Sequence, residues 1–410
     1  MRGLSPQQSV SVVLVAGCMI ALIGFGARAG FGLFLEPMTT ARGWSRETFA
    51  LALAWQNLFW GLGTLVTGVL ADRFGPRGVM LVGAAVYAVG ILGMATAESS
   101  LALSLTGGVL VGCGVACTSF SIALAAMARV VGEQRRSFAL GVGTAAGSLG
   151  QVIFSPLTQA AIGSFGWNGA LHGIALSVLC IAPFALMLPH GGGAQGGSVT
   201  TAAQTPRAAL QQALQHRGYV LLTLGFFVCG FHVAFIVVHF PAYIGDLGLS
   251  PTVGAWALAL LGLFNIVGSL FSGYAGQRWS KRISLCWIYL LRAVVISAML
   301  LLPVSATTIL GFAALMGLLW LSTVPLTTGI VAQVFGVRFM ATLFGCVFMS
   351  HQLGAFIAVW LGGRLYDLSG SYAAMWWLAV GLSLVAAGLH WPIDERPLAR
   401  VVKVSAVSGS

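Results

Sequence analysis

The side chains best suited to chemistry are a few charged and titratable groups inside long apolar runs. Arg28 lies in the first of these runs and Arg292 in the ninth. An arginine at the centre of a membrane costs about 3 kcal/mol to insert, so its default interpretation is functional. Its guanidinium can bind a carboxylate through two parallel hydrogen bonds. Both arginines are therefore candidate anion ligands. The structural alternatives are that Arg28 snorkels to the surface or braces Glu36, and that Arg292 binds helix carbonyls.

Two histidines lie seven residues apart in the seventh run, on one face of a helix. They are His232 and His239. Histidine titrates near neutral pH, so it can bind an anion when protonated and release it when neutral. We predict that His232 binds substrate and that both histidines take part in proton coupling; the alternative is a neutral histidine bonding between helices. His351 and Gln352, in the eleventh run, are further candidate substrate ligands.

Several uncharged groups complete the predicted site. Asn57 in the second run and Asn265 in the eighth are placed to hydrogen-bond a substrate, and Phe120 and Ser121 in the fourth can floor a cavity. Most amides within membranes simply join helices, at about 1 kcal/mol or less per bond. That bond between helices is the alternative interpretation for both asparagines.

The carboxylates show what the predicted site lacks. All nine fall in loops or at the ends of apolar runs, so a cationic substrate would find no counter-charge in the membrane. A proton carrier is then a histidine or the substrate itself. No nucleotide loop, metal-ligand pattern or nucleophile–base set appears, so we predict no cofactor, no metal and no enzyme activity. The nine acids are Glu36, Glu47, Asp72, Glu98, Glu133, Asp246, Asp367, Asp394 and Glu395.

The elements that must position these groups are membrane helices. Of 410 residues, 58% are apolar and only 7% are charged, whereas soluble domains carry about 25% charged residues. One crossing needs about 20 apolar residues. The chain therefore predicts an all-α integral membrane protein. The twelve predicted spans are residues 10–35, 48–71, 78–97, 101–127, 137–162, 168–188, 218–242, 253–276, 283–303, 308–331, 340–363 and 372–392.

A glycine- and polar-rich segment divides these spans into two sets of six. Its composition is typical of a flexible linker, and its last residues, from Arg207 to Arg217, are a candidate surface helix. The predicted domains are an N-terminal half, a cytoplasmic linker, a C-terminal half and a cytoplasmic tail. They comprise residues 1–188, 189–217, 218–392 and 393–410.

A loop motif repeated between the halves indicates an internal duplication, which is how many transporters are built. Residues 68–77 have the spacing GxxxDRxGxR, and residues 273–282 repeat it more weakly. Contacts of this loop with helix ends would form and break as the halves move. The predicted gating residues are Gly68, Asp72, Arg73, Gly75, Arg77 and Arg278.

The basic residues predict the orientation. With the N-terminus inside, fifteen lysines and arginines lie in cytoplasmic segments and three in outer loops, namely Arg42, Arg46 and Arg364. Positive charge stays cytoplasmic, so both termini and the linker are predicted to face the cytoplasm. The net charge of +11 is explained in this way and predicts no nucleic-acid partner. The compact loops favour the inner membrane of a bacterium.

Twelve spans in two halves with paired loop motifs resemble the major facilitator superfamily. Three stretches narrow the resemblance to its monocarboxylate porter and oxalate/formate exchanger group, in which a basic residue often occurs near the place of Arg28. One feature departs from that group, because Asn265 and Ser269 stand where its eighth helix often carries an Asp and an Arg. The three stretches are residues 26–36, 133–150 and 363–372.

Together, the residues and the resemblance predict a secondary active transporter that works by alternating access. Its substrate would be a small organic anion, with a monocarboxylate favoured, coupled to protons and bound between the two halves of a monomer. In this superfamily the first and seventh helices line the cavity, as the resemblance implies. Two alternatives stay open at this stage: an exporter of a hydrophobic compound or drug, and a membrane sensor with a transporter fold.

Overall fold

The computed structural model of the chain describes residues 6–131, 133–188, 206–336 and 339–398, and within these ranges its regular structure is entirely helical. The side chains of Asp72, Phe120 and Ser121 lie outside the described residues. The helices before the linker are α1 Pro6–Ala29, α2 Leu35–Arg42, α3 Arg46–Phe74, α4 Pro76–Thr96, α5 Ser100–Leu103, α6 Val111–Cys117, α7 Phe120–Val130, α8 Glu133–Leu179 and α9 Ile181–Leu186. A 3-10 turn, Phe31–Phe34, joins α1 to α2, and a π-helical stretch, Ser104–Leu110, joins α5 to α6.

The later helices follow the predicted linker. The first, α10, is the short helix expected at the end of the linker, and the others are long and apolar. They are α10 Pro206–Gln215, α11 Arg217–Asp246, α12 Pro251–Arg278, α13 Lys281–Leu301, α14 Ala306–Leu319, α15 Thr323–Phe335, α16 Met340–Ser369 and α17 Ala373–His390. We call α1–α9 the N-terminal helices and α11–α17 the C-terminal helices.

Eleven helical segments of the described chain are long and apolar enough to cross a membrane. One of them, Gly141–Leu186, covers two predicted spans. The backbone at Gly166 leaves the helical region there, with φ 70° and ψ 169°, a conformation that glycine adopts without strain. Each of the twelve predicted spans therefore coincides with helix, and the predicted all-α membrane fold is confirmed. The predicted domain boundaries stay a prediction.

Short polar caps begin several helices at the ends of the bundle. The hydroxyl of Ser45 accepts a hydrogen bond from the backbone N–H of Thr48 at the start of α3, and Ser305 does the same for Thr308 at the start of α14. Such caps bind N–H groups that have no partner within their own helix. They allow a long apolar helix to start directly after a tight turn.

Glycines let the main chains of neighbouring helices touch. A β-carbon at Gly150 in α8 would collide with the carbonyl oxygen of Leu22 in α1, and one at Gly268 in α12 with that of Leu318 in α14. Membrane helices associate mainly through close packing of this kind, since lipid provides no hydrophobic drive between them. These contacts set the positions of α1 and α14, which carry or flank the candidate site.

The N-terminal helices contact the C-terminal helices mainly through two helix pairs in the described chain. The first is α3 with α16: Gly363 packs on Glu47, Gly61 on Gln352, and Gly345 on the side chain of Leu65. The second pair is α8 with α12. The region between these two pairs is where the candidate residues of α1, α3 and α16 meet.

Candidate functional site

Arg28 is held by the neighbouring helix α3. Its Nη2 donates to Oδ1 of Asn57, and its guanidinium carbon lies 4.5 Å from the ring centre of Trp60. Glu36 is exposed and its carboxylate lies against Gly245 instead. Among the described residues, Nε of Arg28 has no hydrogen-bond partner. The half-buried guanidinium therefore keeps a free donor, and the two predicted ligands Arg28 and Asn57 form one unit.

An aromatic layer connects this unit to the C-terminal helices. The ring centres of Trp60 and Phe348 are 5.5 Å apart in an edge-to-face arrangement, and we call this pair the aromatic layer. Phe348 in turn stacks on His351, with ring centres 5.7 Å apart and planes at 12°. Edge-to-face and offset stacked contacts are the favoured geometries of aromatic pairs. Arg28 thus contacts one ring of the aromatic layer, Trp60, and His351 contacts the other, Phe348.

His351 and Gln352 carry polar atoms that the protein leaves unused. Gln352 is 0% exposed and His351 7% exposed. Within the described part of the chain, Nδ1 of His351 and both Nε2 and Oε1 of Gln352 have no hydrogen-bond partner. Buried polar groups are almost always bonded, so each exception calls for an explanation. Gln352 packs its Cβ and Cγ 3.0 Å from where a β-carbon on Gly61 would lie, next to Trp60 in α3.

Arg292 belongs to α13 and is 0% exposed, and its Nη2 lies 3.8 Å from the sulfur of Cys229 in α11. Its Nη2 donates to the carbonyl oxygens of Leu319, at 2.8 Å, and of Trp320. These carbonyls end α14, where the membrane helix is interrupted before α15. Positively charged groups near the C-terminal end of a helix also complement its dipole. The contacts of Arg292 are those of the structural alternative, and its role in anion binding stays a prediction.

His232 faces Arg292. Its Nε2 is 2.9 Å from the carbonyl oxygen of Ala379, and its Nδ1 is 3.5 Å from Nη1 of Arg292. Because a carbonyl can only accept and a guanidinium can only donate, the contacts fit a neutral ring with its proton on Nε2. A proton on Nδ1 therefore requires Arg292 to move away.

The interruption between α14 and α15 is enclosed by polar side chains from the other direction as well. Oδ1 of Asn265 accepts from the backbone N–H of Leu321 at 3.0 Å, and its Nδ2 donates to the hydroxyl of Ser148 at 2.9 Å. Ser148 belongs to α8, so Asn265 also joins the N-terminal to the C-terminal helices. Oδ1 of Asn265 also accepts from the hydroxyl of Ser269, one turn further along α12, at 3.1 Å. Irregular backbone at membrane depth needs such partners.

His239 is part of a network at one end of the bundle. Its Nε2 donates to the carbonyl oxygen of Val359 at 2.8 Å, and its Nδ1 is 3.0 Å from the hydroxyl of Tyr372. That hydroxyl also accepts from Nη1 of Arg46 at 3.2 Å. The network reaches from the seventh predicted span to an arginine of α3.

Arg46 belongs to a cluster of charged residues that closes this end. It forms a two-pronged ion pair with Asp246, and Arg364 pairs with Glu47 at 3.0 Å. Asp367 accepts from the backbone N–H groups of Arg46, at 3.1 Å, and Glu47, at 2.8 Å. Arg46–Asp246 and Arg364–Glu47 are the ion pairs that join the N-terminal to the C-terminal helices in the described residues. We call this end of the bundle the closed end.

The sequence alone did not indicate the closed end. Arg46 and Arg364 entered only the count of basic residues, although a signal existed. Both lie at the predicted outer ends of spans together with the acids Glu47, Asp246 and Asp367. Acids and bases at the same predicted membrane surface, on spans of both halves, are the pattern that would have indicated it.

The predicted loop residues lie at the other end of the bundle. Gly75 forms the turn between α3 and α4 with φ 85° and ψ 153°. Arg73 and Arg278 are exposed, and their guanidinium carbons lie 5.2 Å from the ring centre of Phe74 and 5.1 Å from that of Tyr274. These local contacts fix neither residue to the opposite group of helices. Their gating role, and that of Gly68, Asp72 and Arg77, stays a prediction.

A bundle of membrane helices in two groups, with a polar site between them and one end closed by ion pairs, has the architecture of a membrane transporter. The model of the Major Facilitator Superfamily matches residues 17–246 and 222–406. The chain belongs to this superfamily. Its members carry small molecules across membranes and are not enzymes, as predicted for this chain.

Individual relatives and solved structures agree with this assignment. The chain is 28% identical over 391 residues to monocarboxylate transporter 13 of Rattus norvegicus, covering 92% of this chain and 87% of the relative. It is 25% identical to the uncharacterized MFS-type transporter YcxA of Bacillus subtilis (strain 168), with 96% of each covered. The crystal structure of a D-xylose–proton symporter matches with a TM-score of 0.76 at 13% identity, covering 96% of this chain and all of that one. The resemblance to the monocarboxylate group is thereby confirmed.

Proposed function

We propose that the protein is a secondary active transporter that moves a small organic anion, a monocarboxylate, across a bacterial inner membrane by alternating access. One observation supports this proposal: Asn57 and Trp60 of α3 hold Arg28 beside the contact of Trp60 with Phe348 of the C-terminal helices, and a guanidinium donor is left free. In the described chain, no ion pair of Arg28 with a carboxylate is present. The substrate carboxylate supplies the missing negative charge, through charge-assisted hydrogen bonds.

The proposed orientation of the chain in the membrane determines which side of the membrane the closed end faces. With both termini in the cytoplasm, the closed end formed by Arg46, Asp246 and their neighbours faces outward. The site is then reached from the cytoplasm, and the ion pairs of the closed end separate when the transporter opens outward. Alternating access of this kind moves one helix bundle against the other around a fixed site. The gating loop at Gly75 and Arg278 belongs to the cytoplasmic side.

Proton coupling is assigned to His232 and His239, or to the substrate entering as its neutral acid. The contacts of His232 support a neutral ring in this conformation, because its Nδ1 faces Arg292. Protonation would separate the two and leave Arg292 to rearrange at the interruption between α14 and α15. That coupled movement is how one proton would change the packing of the C-terminal helices.

A ligand-stabilisation panel on the purified protein tests the proposal. It compares carboxylic acids with their methyl esters and amides at pH 5.5 and pH 7.5, because a ligand that binds only the folded state raises the melting temperature. Acids should stabilise and esters should not, with a larger effect at low pH. Stabilisation by neutral or cationic lipophiles instead would contradict the carboxylate proposal and favour export of a hydrophobic compound.

A further inference from the structure

The buried amide of Gln352 has no role in the proposed carboxylate site, which consists of Arg28, Asn57 and Trp60. Its side chain is 0% exposed, and no group of the described chain bonds to its Oε1 or Nε2. An amide buried without partners costs about 1–3 kcal/mol of stability. Such a cost is offset if the amide forms hydrogen bonds in another state of the protein, and the ligand-bound state is one candidate.

A second unused group lies beside it. Nδ1 of His351 has no partner among the described residues, although its ring is packed on both sides. One side is Phe348, at 5.7 Å between ring centres, and the other is Phe226, at 5.0 Å. The ring is thus held in place while its nitrogen stays available. Two adjacent side chains of α16 therefore provide acceptors and donors that are already desolvated.

The surface between these groups and Arg28 is aromatic. Trp60, which contacts Arg28, and Phe348, which contacts His351, are both partly exposed. A flat molecule can lie on the exposed parts of this aromatic layer, since offset stacking is a favoured arrangement of rings. Its two ends would then reach the polar groups at either side of the layer. Ligand sites of this composition, mostly apolar with a few polar groups, are typical of small-molecule recognition.

We propose that His351 and Gln352 form a second polar subsite, and that the substrate is a planar, ring-containing carboxylate with a neutral hydrogen-bonding group opposite its carboxylate. This inference rests on the proposed function, which places the carboxylate on Arg28. Gln352 offers two donors and an acceptor but no charge. Gln352 therefore fits a hydroxyl or an amide of the ligand.

Paired ligands that differ in one group test the subsite. The probes are phenylacetate, 4-hydroxyphenylacetate, their methyl esters, and lactate as a short acid without a ring. The wild type should bind 4-hydroxyphenylacetate about tenfold more tightly than phenylacetate, the value of one hydrogen bond to a desolvated partner. Lactate should bind more weakly than either. In Gln352→Met the tenfold preference should disappear, because both acids then meet an apolar side chain at this position.

A stability measurement separates the subsite from a merely structural role. Gln352→Met should raise the melting temperature of the ligand-free protein, because an apolar side chain of similar size replaces an unbonded amide. The matched control is Gln56→Met, whose amide donates to the carbonyl oxygen of Gly107 at 3.0 Å. That variant should lower the melting temperature and keep the preference for the hydroxylated acid.

The outcomes distinguish this inference from the proposed function. If phenylacetate binds and its ester does not, but the hydroxyl adds no affinity in the wild type, the subsite is wrong and the carboxylate transporter stands. The subsite is equally wrong if the preference survives in both Gln352→Met and His351→Phe. If lactate binds as tightly as phenylacetate, the aromatic layer does not select the substrate. If acids bind no better than esters, the proposed function itself fails.

Discussion

Arg46 and Asp246 lie 200 positions apart in the chain and form an ion pair in which both nitrogen–oxygen distances are 2.6 Å. The pair ties the start of α3 to the end of α11, and the guanidinium also lies 3.7 Å from the ring centre of Tyr366. Two-pronged pairs of this geometry are stronger than ordinary surface pairs. The closed end thus depends on a contact that must break whenever the two groups of helices separate there.

The first prediction concerns this ion pair. Arg46→Gln should favour the conformation in which the closed end is open, by about 2 kcal/mol or roughly thirtyfold in the equilibrium. A cysteine placed at Ala242, buried beneath the closed end in a cysteine-free background, should then react faster with a membrane-impermeant maleimide. The exchange of Arg46→Asp with Asp246→Arg should restore slow labelling.

Arg42→Gln is the matched control for labelling. Arg42 lies near the same end, but its described contacts are with Trp167 and the carbonyl oxygen of Ala95, both in the N-terminal helices. Labelling in that variant should match the wild type. A rate that does not change in Arg46→Gln would show that the ion pair does not hold the end closed.

The second prediction concerns Arg28. Arg28→Gln should weaken carboxylate binding by at least about a hundredfold, since a charge-assisted hydrogen bond contributes about 1.5–3 kcal/mol and more than one is lost. The melting temperature of the empty protein should change little. Titration calorimetry with phenylacetate measures the affinity, and Arg42→Gln again gives the effect of losing an arginine elsewhere. Unchanged affinity would remove Arg28 from the site.

The third prediction separates two roles of Arg292. Arg292→Met should destabilise the protein by about 3 kcal/mol, because the carbonyls of Leu319 and Trp320 lose a buried charged partner. Carboxylate affinity of the protein that remains folded should stay within about twofold. The measurements are denaturation of the purified protein and ligand binding below the unfolding transition. Full stability with lost binding would instead make Arg292 a substrate ligand, as the sequence analysis predicted.

The fourth prediction tests the helix contacts that position the site. Gly150→Ala should destabilise the protein by about 1–3 kcal/mol, because its β-carbon would collide with the carbonyl oxygen of Leu22 in α1. Gly163→Ala, in the same helix, has open space at that position and should be neutral or stabilising by up to about 1 kcal/mol. Thermal unfolding of the two variants checks the difference. Equal melting temperatures would show that α1 and α8 can separate without loss.

Most of the fold was determined by the sequence alone. Length and hydropathy of each span are local properties, so the twelve helices followed from counting apolar residues against the thickness of a bilayer. Arg28 was also recognisable, because a charge within an apolar run stands out wherever the helices pack. Arg292 was recognisable as a buried charge in the same way. The carbonyl groups that stabilise its charge were not.

The tertiary structure decided which residues act together. Residues far apart in the chain meet across helices. Arg28 and Asn57 are separated by 29 positions, and Arg46 and Asp367 by 321. These pairings depend on the rotation and depth of each helix, which apolar periodicity leaves open because lipid and protein surroundings are both apolar. For the same reason, only the packed structure could show that Arg292 meets carbonyls at an interrupted helix, and that the buried amide of Gln352 has no partner among the described residues.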